Sequence, residues 1–150
     1  MRNSYKELID KQMAEINVFP MKTATNSEQF KKIVNEWNLS FDENSDNYYG
    51  KQLVPVGLGM FIRKKDAKGF NDMLNRHRKE HLKAIKEDTT GEGYIYDMFV
   101  YELQKHKYKY NSCTEEVLQT LDISVETLLQ NAVMNRAFAK ACQYVASLDD

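Results

Sequence analysis

Apolar residues recur at intervals of three and four along most of the chain, and those intervals locate its helices. Tyr5, Leu8, Ile9, Met13 and Ile16 stand at the spacing that gathers side chains on one helical face, which predicts a first helix from Ser4 to about Asn17. Ser4 with Glu7 reads as a capping box at its start. Phe19-Pro20 ends it, because proline disfavours the helical region for the residue before it and has no amide to give to the ladder. A short extended piece at 21–25 follows. Asn26 or Ser27 then caps a second helix to about Asn38, with Phe30, Ile33, Val34 and Trp37 as its buried stripe.

The periodicity stops at 39–50 (LSFDENSDNYYG), an acidic stretch rich in Asn and Ser that reads as a surface loop. At 52–64 (QLVPVGLGMFIRK) Leu, Val, Phe and Ile cluster between polar flanks, the pattern of a strand. Pro55 sends its first half to a sheet edge, and Gly57 and Gly59 predict either one bent strand or two short ones. Asp66 is the expected cap of a long third helix to about Lys86, and a fourth runs near 92–108. Tyr94, Ile95, Tyr96, Met98, Phe99, Val100, Tyr101 and Leu103 point in nearly every direction around this fourth helix, which makes it the central one or gives it a partner, a second copy of the chain included. Thr114 with Val117, Leu118 and Leu121, Ser124 with Leu128 and Leu129, and the run from Val133 to Leu148 supply the rest. The expected fold class is α+β, mainly helical, with about five to seven helices on a small antiparallel sheet in a single domain over 1–150.

Composition narrows the function more than the fold. At 150 residues, 42% hydrophobic and 29% charged, the chain suits one soluble domain. No apolar run approaches the roughly 20 residues of a bilayer span, so no membrane partner is expected. The net charge of -1 excludes a wholly basic nucleic-acid binder and a wholly acidic DNA mimic. Two cysteines, Cys113 and Cys142, make no disulfide framework and no metal-type pairing, which points to a reducing cytoplasm. The opening residues carry no secretory or transit pattern, so the mature chain is expected to begin at Met1.

The charge is, however, unevenly placed. Residues 61–86 hold nine Lys or Arg against three acids, a local +6, while 36–50 and 111–150 each sum to -4. In the last forty residues the only bases are Arg136 and Lys140, against six acids. Such separation lets one surface attract phosphate or an acidic protein. Arg63, Lys64, Lys65, Arg76, Lys79 and Lys83 are the candidate contacts, and Arg76, Lys79 and Lys83 are expected to be reversible with the melting temperature nearly unchanged because they lie off the apolar stripe of the third helix.

Other motifs carry less. His77-Arg78-Lys79-Glu80-His81 spells H-x-x-E-H, the spacing by which inverted zinc peptidases bind metal with two histidines and activate water with the glutamate. Its neighbours Arg78 and Lys79 repel a dication, and no later Glu stands out as third ligand, so His77, Glu80 and His81 are a remote metal set and no cofactor is expected. Gly57-Leu58-Gly59 and Gly91-Glu92-Gly93 lack the lysine of a phosphate loop, the second placing a carboxylate among its amides. Cys142 sits among Ala139, Ala141 and Val145 as a small apolar filler rather than a nucleophile.

Two stretches, 59–66 (GMFIRKKD) running on to Phe70 and 91–103 (GEGYIYDMFVYEL), resemble those of a family of uncharacterised proteins from Gram-positive bacteria, their phages and mobile elements, and the segment 15–20 (EINVFP) fits as well. The resemblance spans most of the chain and supplies no catalytic residue. It implies a small cytosolic accessory protein, non-enzymatic, from a setting whose genes often encode inhibitors of host defence, anti-CRISPR-like proteins among them. The expected partner is then a host protein or nucleoprotein complex, and the alternative is direct nucleic-acid binding by the basic helix 63–86.

Overall fold

The computed structural model describes residues 2–39 and 52–149, so the expected loop at 39–50 lies outside the described residues apart from Leu39. The elements are α1 (Ser4–Val18), β1 (Lys22–Thr23), α2 (Ser27–Glu36), β2 (Leu53–Gly57), β3 (Met60–Arg63), a 3-10 turn (Lys64–Asp66), α3 (Ala67–Glu87), α4 (Tyr94–Lys105), α5 (Tyr108–Asn111), α6 (Glu115–Thr120), α7 (Val125–Gln130) and α8 (Ala132–Ser147). The mainly helical α+β class is as expected, with eight α-helices among the described residues. The chain divides into two compact units, 15–77 and the combination of 1–14 with 78–150.

In the 15–77 unit the strands form an antiparallel sheet in the order β1-β3-β2. Pro55 is tolerated because β2 is an edge strand, and the register shifts between Pro55 and Gly57. The strand predicted at 52–64 is therefore a hairpin. Its tip is Gly57-Leu58-Gly59, three residues in succession with positive φ (101°, 53° and 74°). Only glycine enters that region without steric cost, and Leu58 bears the cost while standing 98% exposed. Asn26 caps α2 by accepting the Gln29 amide at 2.9 Å. The core is small: Ile33 and Val34 from α2 meet Ala24 and Leu53, edged by Phe30, Trp37, Leu39 and Phe61.

Asp66 does not cap α3 as expected. It closes the preceding 3-10 turn, where its carboxylate accepts from Arg63 Nε at 2.7 Å.

The other unit is built around α4. Met98, Phe99 and Leu103 are wholly enclosed, and α4 packs chiefly on α8, with α5 and α6 beside it. The fourth helix is thus central, and its apolar faces are covered within the unit. It ends at Lys105 rather than 108, because Lys107 takes a left-handed conformation (φ 60°) and a separate turn, α5, begins. The start of α1 also corrects the sequence reading. Asn3 is the cap, its Oδ1 accepting the Lys6 amide at 2.9 Å, while Ser4 gives both its amide (2.9 Å) and its hydroxyl (2.6 Å) to Asp97 Oδ2. Glu7, freed from the expected box, pairs with Arg2 at 2.7 Å. Met13 lies exposed and Gln12 buried, so the apolar stripe of α1 holds only at Tyr5, Leu8 and Ile9 within this unit.

Candidate functional site

The nine basic residues of 61–86 fall into two groups once the chain is folded. Arg63 is tied to Asp66, Lys68 to Asp72 at 2.8 Å, and Lys83 to Glu87 at 3.7 Å. Arg76 grips Glu15 with both terminal guanidinium nitrogens, and that hydrogen bonding holds the Glu15 carboxyl below its ordinary range. Lys64, Lys65, Arg78, Lys79 and Lys86 have no ion-pair partner among the described residues. Of the six candidate contacts, Lys64, Lys65 and Lys79 are thus without an ion-pair partner among the described residues, whereas Arg63, Arg76 and Lys83 are already engaged. Lys64 and Lys65 belong to the 15–77 unit, and Lys79 and Lys83 to the other.

Within the 15–77 unit, the end of β3 places Arg63, Lys64 and Lys65 along one cleft with Trp37, Asn38, Leu39 and Gln52, of about 340 Å³. The Lys64 amide donates to the Gln52 carbonyl at 2.8 Å, which fixes the strand end relative to β2. The Arg63 guanidinium lies 5.3 Å from the centre of the Trp37 ring and Lys22 Nζ lies 5.5 Å from it. Lys22 is also paired with Glu36 at 2.5 Å. Cations over an indole are stabilised by its quadrupole, and the pairing strengthens as water is excluded. Arg63 is thus positioned by Asp66 and Trp37 together, while Lys64 and Lys65 stand exposed at the rim. The arrangement can take an acidic group that reaches past the lysines to the guanidinium edge. Trp37 belongs to this site, although its spacing in the sequence marks it only as a core residue. Nothing local signals its role, since 26 positions separate it from Arg63 and the sheet alone brings them together.

The H-x-x-E-H residues serve different neighbours. His77 is buried, with Nε2 3.6 Å from Glu15 Oε1, the carboxylate that Arg76 also holds. His81 Nδ1 lies 2.7 Å from the Tyr94 hydroxyl. Burial pushes the His81 pKa down and that of Tyr94 up, since each charged form would be poorly solvated. Glu80 takes part in neither of these contacts. Among the described residues, no group of three or more His, Cys, Asp or Glu is placed to hold a metal ion.

A second polar centre lies inside the helical unit, and no motif in the sequence singles it out. Glu102 is 3% exposed, accepts from the Tyr5 hydroxyl at 2.9 Å, and turns its other oxygen towards His106 Nε2 at 3.4 Å. His106 Nδ1 meets Glu116 at 3.3 Å, and Thr120 Oγ1 lies 3.2 Å from Nε2. Burial and the Glu102 charge raise the Tyr5 pKa, so the phenol stays a donor. This centre joins α1, α4 and α6, with Glu102 Oε1 hydrogen-bonded and Oε2 buried without a hydrogen bond, next to the imidazole of His106.

Over residues 4–144 the chain matches, and belongs to, a family of unknown function, DUF7659. No curated protein and no solved structure matches it. Among the described residues no helix is long and apolar enough to cross a membrane.

Proposed function

We propose that this protein is a non-enzymatic binding protein that engages an acidic surface of a protein partner through the cleft of Arg63, Lys64, Lys65 and Trp37. One observation carries the reading: two lysines without ion-pair partners among the described residues flank a guanidinium that is held in place by Asp66 and by an indole face. A surface that merely needs solubility has no use for a preorganised arginine, whereas a binding site gains affinity from one, because less side-chain freedom is lost on association. The emphasis moves away from Arg76 and Lys83, whose charges are met within the chain.

The direct nucleic-acid reading draws less support. A base platform needs a free aromatic face. At this cleft the one aromatic ring among the described residues, Trp37, already carries two cations; of the aromatic run, Tyr94 is buried and Tyr96 lines a different cleft, in the helical unit. In the phage or mobile-element setting that the sequence resemblance implies, the partner is a host protein or nucleoprotein complex and the role is inhibition of host defence, in the host cytoplasm.

The test is capture of partners on the tagged chain from a lysate of the encoding organism at low salt, with and without nuclease, alongside a Lys64→Glu/Lys65→Glu variant. The expected result is a defined protein retained after nuclease treatment and lost with the variant. Retention of nucleic acid alone, abolished by nuclease, transfers the function to the second reading. A partner held equally by the variant removes the cleft from either.

A further inference from the structure

A second cleft, formed by other residues than the first, lies wholly within the helical unit. Thr90, Gly91, Glu92, Tyr96, Arg136, Ala137 and Lys140 line it, and it measures about 250 Å³. Arg136 and Lys140 are the only two bases in the last forty residues, a segment with six acids, and both face this one cleft. They stand one turn apart on α8, where side chains four positions apart lie side by side. Arg136 has no ion-pair partner among the described residues, while Lys140 faces Glu92 at 3.5 Å, so the single acid at the rim is opposed and a cationic charge is left over.

The walls are built to hold their shape. Asp88 receives three amides of the loop and helix start, Gly91 and Gly93 at 3.2 Å and Ile95 at 2.9 Å. Gly91 takes a φ of 74° and is laid so closely on α8 that a Cβ there would come within 2.8 Å of Val133 Cγ1 and 3.0 Å of the Val133 carbonyl oxygen. A side chain at that point is excluded twice, by conformation and by contact. Opposite, the Tyr96 ring is backed by Tyr144 at 6.3 Å between centroids, and burial raises its pKa, so it is a neutral aromatic wall. A guanidinium fork matches the oxygens of a phosphate, an adjacent ammonium adds the charge to favour a dianion, and a tyrosine face accepts a flat ring. The volume falls just under the usual range of ligand clefts, about 300–1,000 Å³, which leaves room for one small ligand and excludes a dinucleotide.

We propose that this cleft binds a small ring-bearing organic phosphate of nucleoside monophosphate size, with Arg136 and Lys140 on the phosphate and the ring against Tyr96. The site is separate from the Arg63–Lys65 cleft, and each stands or falls without the other.

The test is calorimetric titration of the full chain with AMP and with UMP, against adenosine and inorganic phosphate as probes of the two halves. At least one monophosphate is expected to saturate, with adenosine and inorganic phosphate each binding tenfold or more weakly. The exposed substitutions Arg136→Gln and Lys140→Gln are each expected to weaken it by about tenfold without lowering the thermal midpoint, and Lys64→Glu/Lys65→Glu to leave it unchanged. The proposal is overturned if neither monophosphate saturates by about 10 mM, if inorganic phosphate binds as well as either, or if Arg136→Gln binds with wild-type affinity.

Discussion

The two compact units use their polar residues in opposite ways. The helical unit encloses fourteen core residues and, among them, a carboxylate with its tyrosine and histidine neighbours, so its buried charge is bound into the packing. Among the described residues of the 15–77 unit, Ala24, Ile33, Val34 and Leu53 form one small buried cluster, Ile62 and Met73 are buried besides, His77 is buried beside Glu15, and the lysines and arginines lie nearer the surface, some tied in pairs and some without an ion-pair partner among the described residues. The difference teaches where to look for function. A buried polar group with partners is accounted for by the fold it stabilises, whereas an arginine fixed by its neighbours beside lysines that have no ion-pair partner among the described residues is not.

Core truncations break the contrast most sharply. Phe99→Ala removes a wholly enclosed ring that packs edge-on against Phe138, and is expected to cost about 3–5 kcal/mol by urea unfolding. Phe61→Ala, at the half-buried rim of the smaller core, is expected to cost clearly less. Equal losses would contradict the ranking of the two cores. The two glycine turns offer the next largest effect. Gly91→Ala meets both strain and the wall of Val133 and is expected to cost about 2–3 kcal/mol. Gly57→Ala, with nothing within 4 Å of the added carbon, carries the strain alone, about 1–2 kcal/mol. Thermal midpoints of the two variants measured side by side decide it.

A smaller effect follows from His81. Burial sets its folded pKa below the ordinary value of 6.5, so the unfolded chain takes up the proton first. Stability is therefore full above that value and falls as pH drops through the window just beneath it. Urea unfolding at a series of pH values from about 7.5 to 5.5 is expected to show that decline, and His81→Gln, neutral throughout, to flatten part of it. An unchanged slope in the variant would assign the decline to another group; Glu15, whose carboxyl is held below its ordinary range, costs stability only in more acidic solution than this window covers.

Much of the architecture is legible in the sequence because helix periodicity is local. The spacing of Tyr5, Leu8 and Ile9, of Ile33 and Val34, and of the α4 residues places those helices within a few positions of their true ends. Gly57 and Gly59 announce the hairpin tip. What fails is whatever depends on a remote neighbour. Ser4 looks like a cap until Asp97, 93 positions away, takes its amide and hydroxyl. Arg76 looks free until Glu15, 61 positions away, takes its guanidinium. Trp37 looks like core until β3 brings Arg63 over its ring. The candidate site was therefore visible as an excess of positive charge and not as a geometry, since only pairing across the fold separates the spent cations from the available ones.

The central claim is that the lysines beside Trp37, which have no ion-pair partner among the described residues, and not basic character in general, make the binding surface. It is tested most directly by comparing Lys64→Glu/Lys65→Glu with Lys79→Glu/Lys83→Glu for thermal midpoint and for retention of the captured partner. Both pairs are surface reversals expected to change stability by no more than about 0.5 kcal/mol per site. The account predicts that the first variant loses the partner at an unchanged midpoint and the second keeps it. Loss with the second and retention with the first, or equal loss with both, would contradict it.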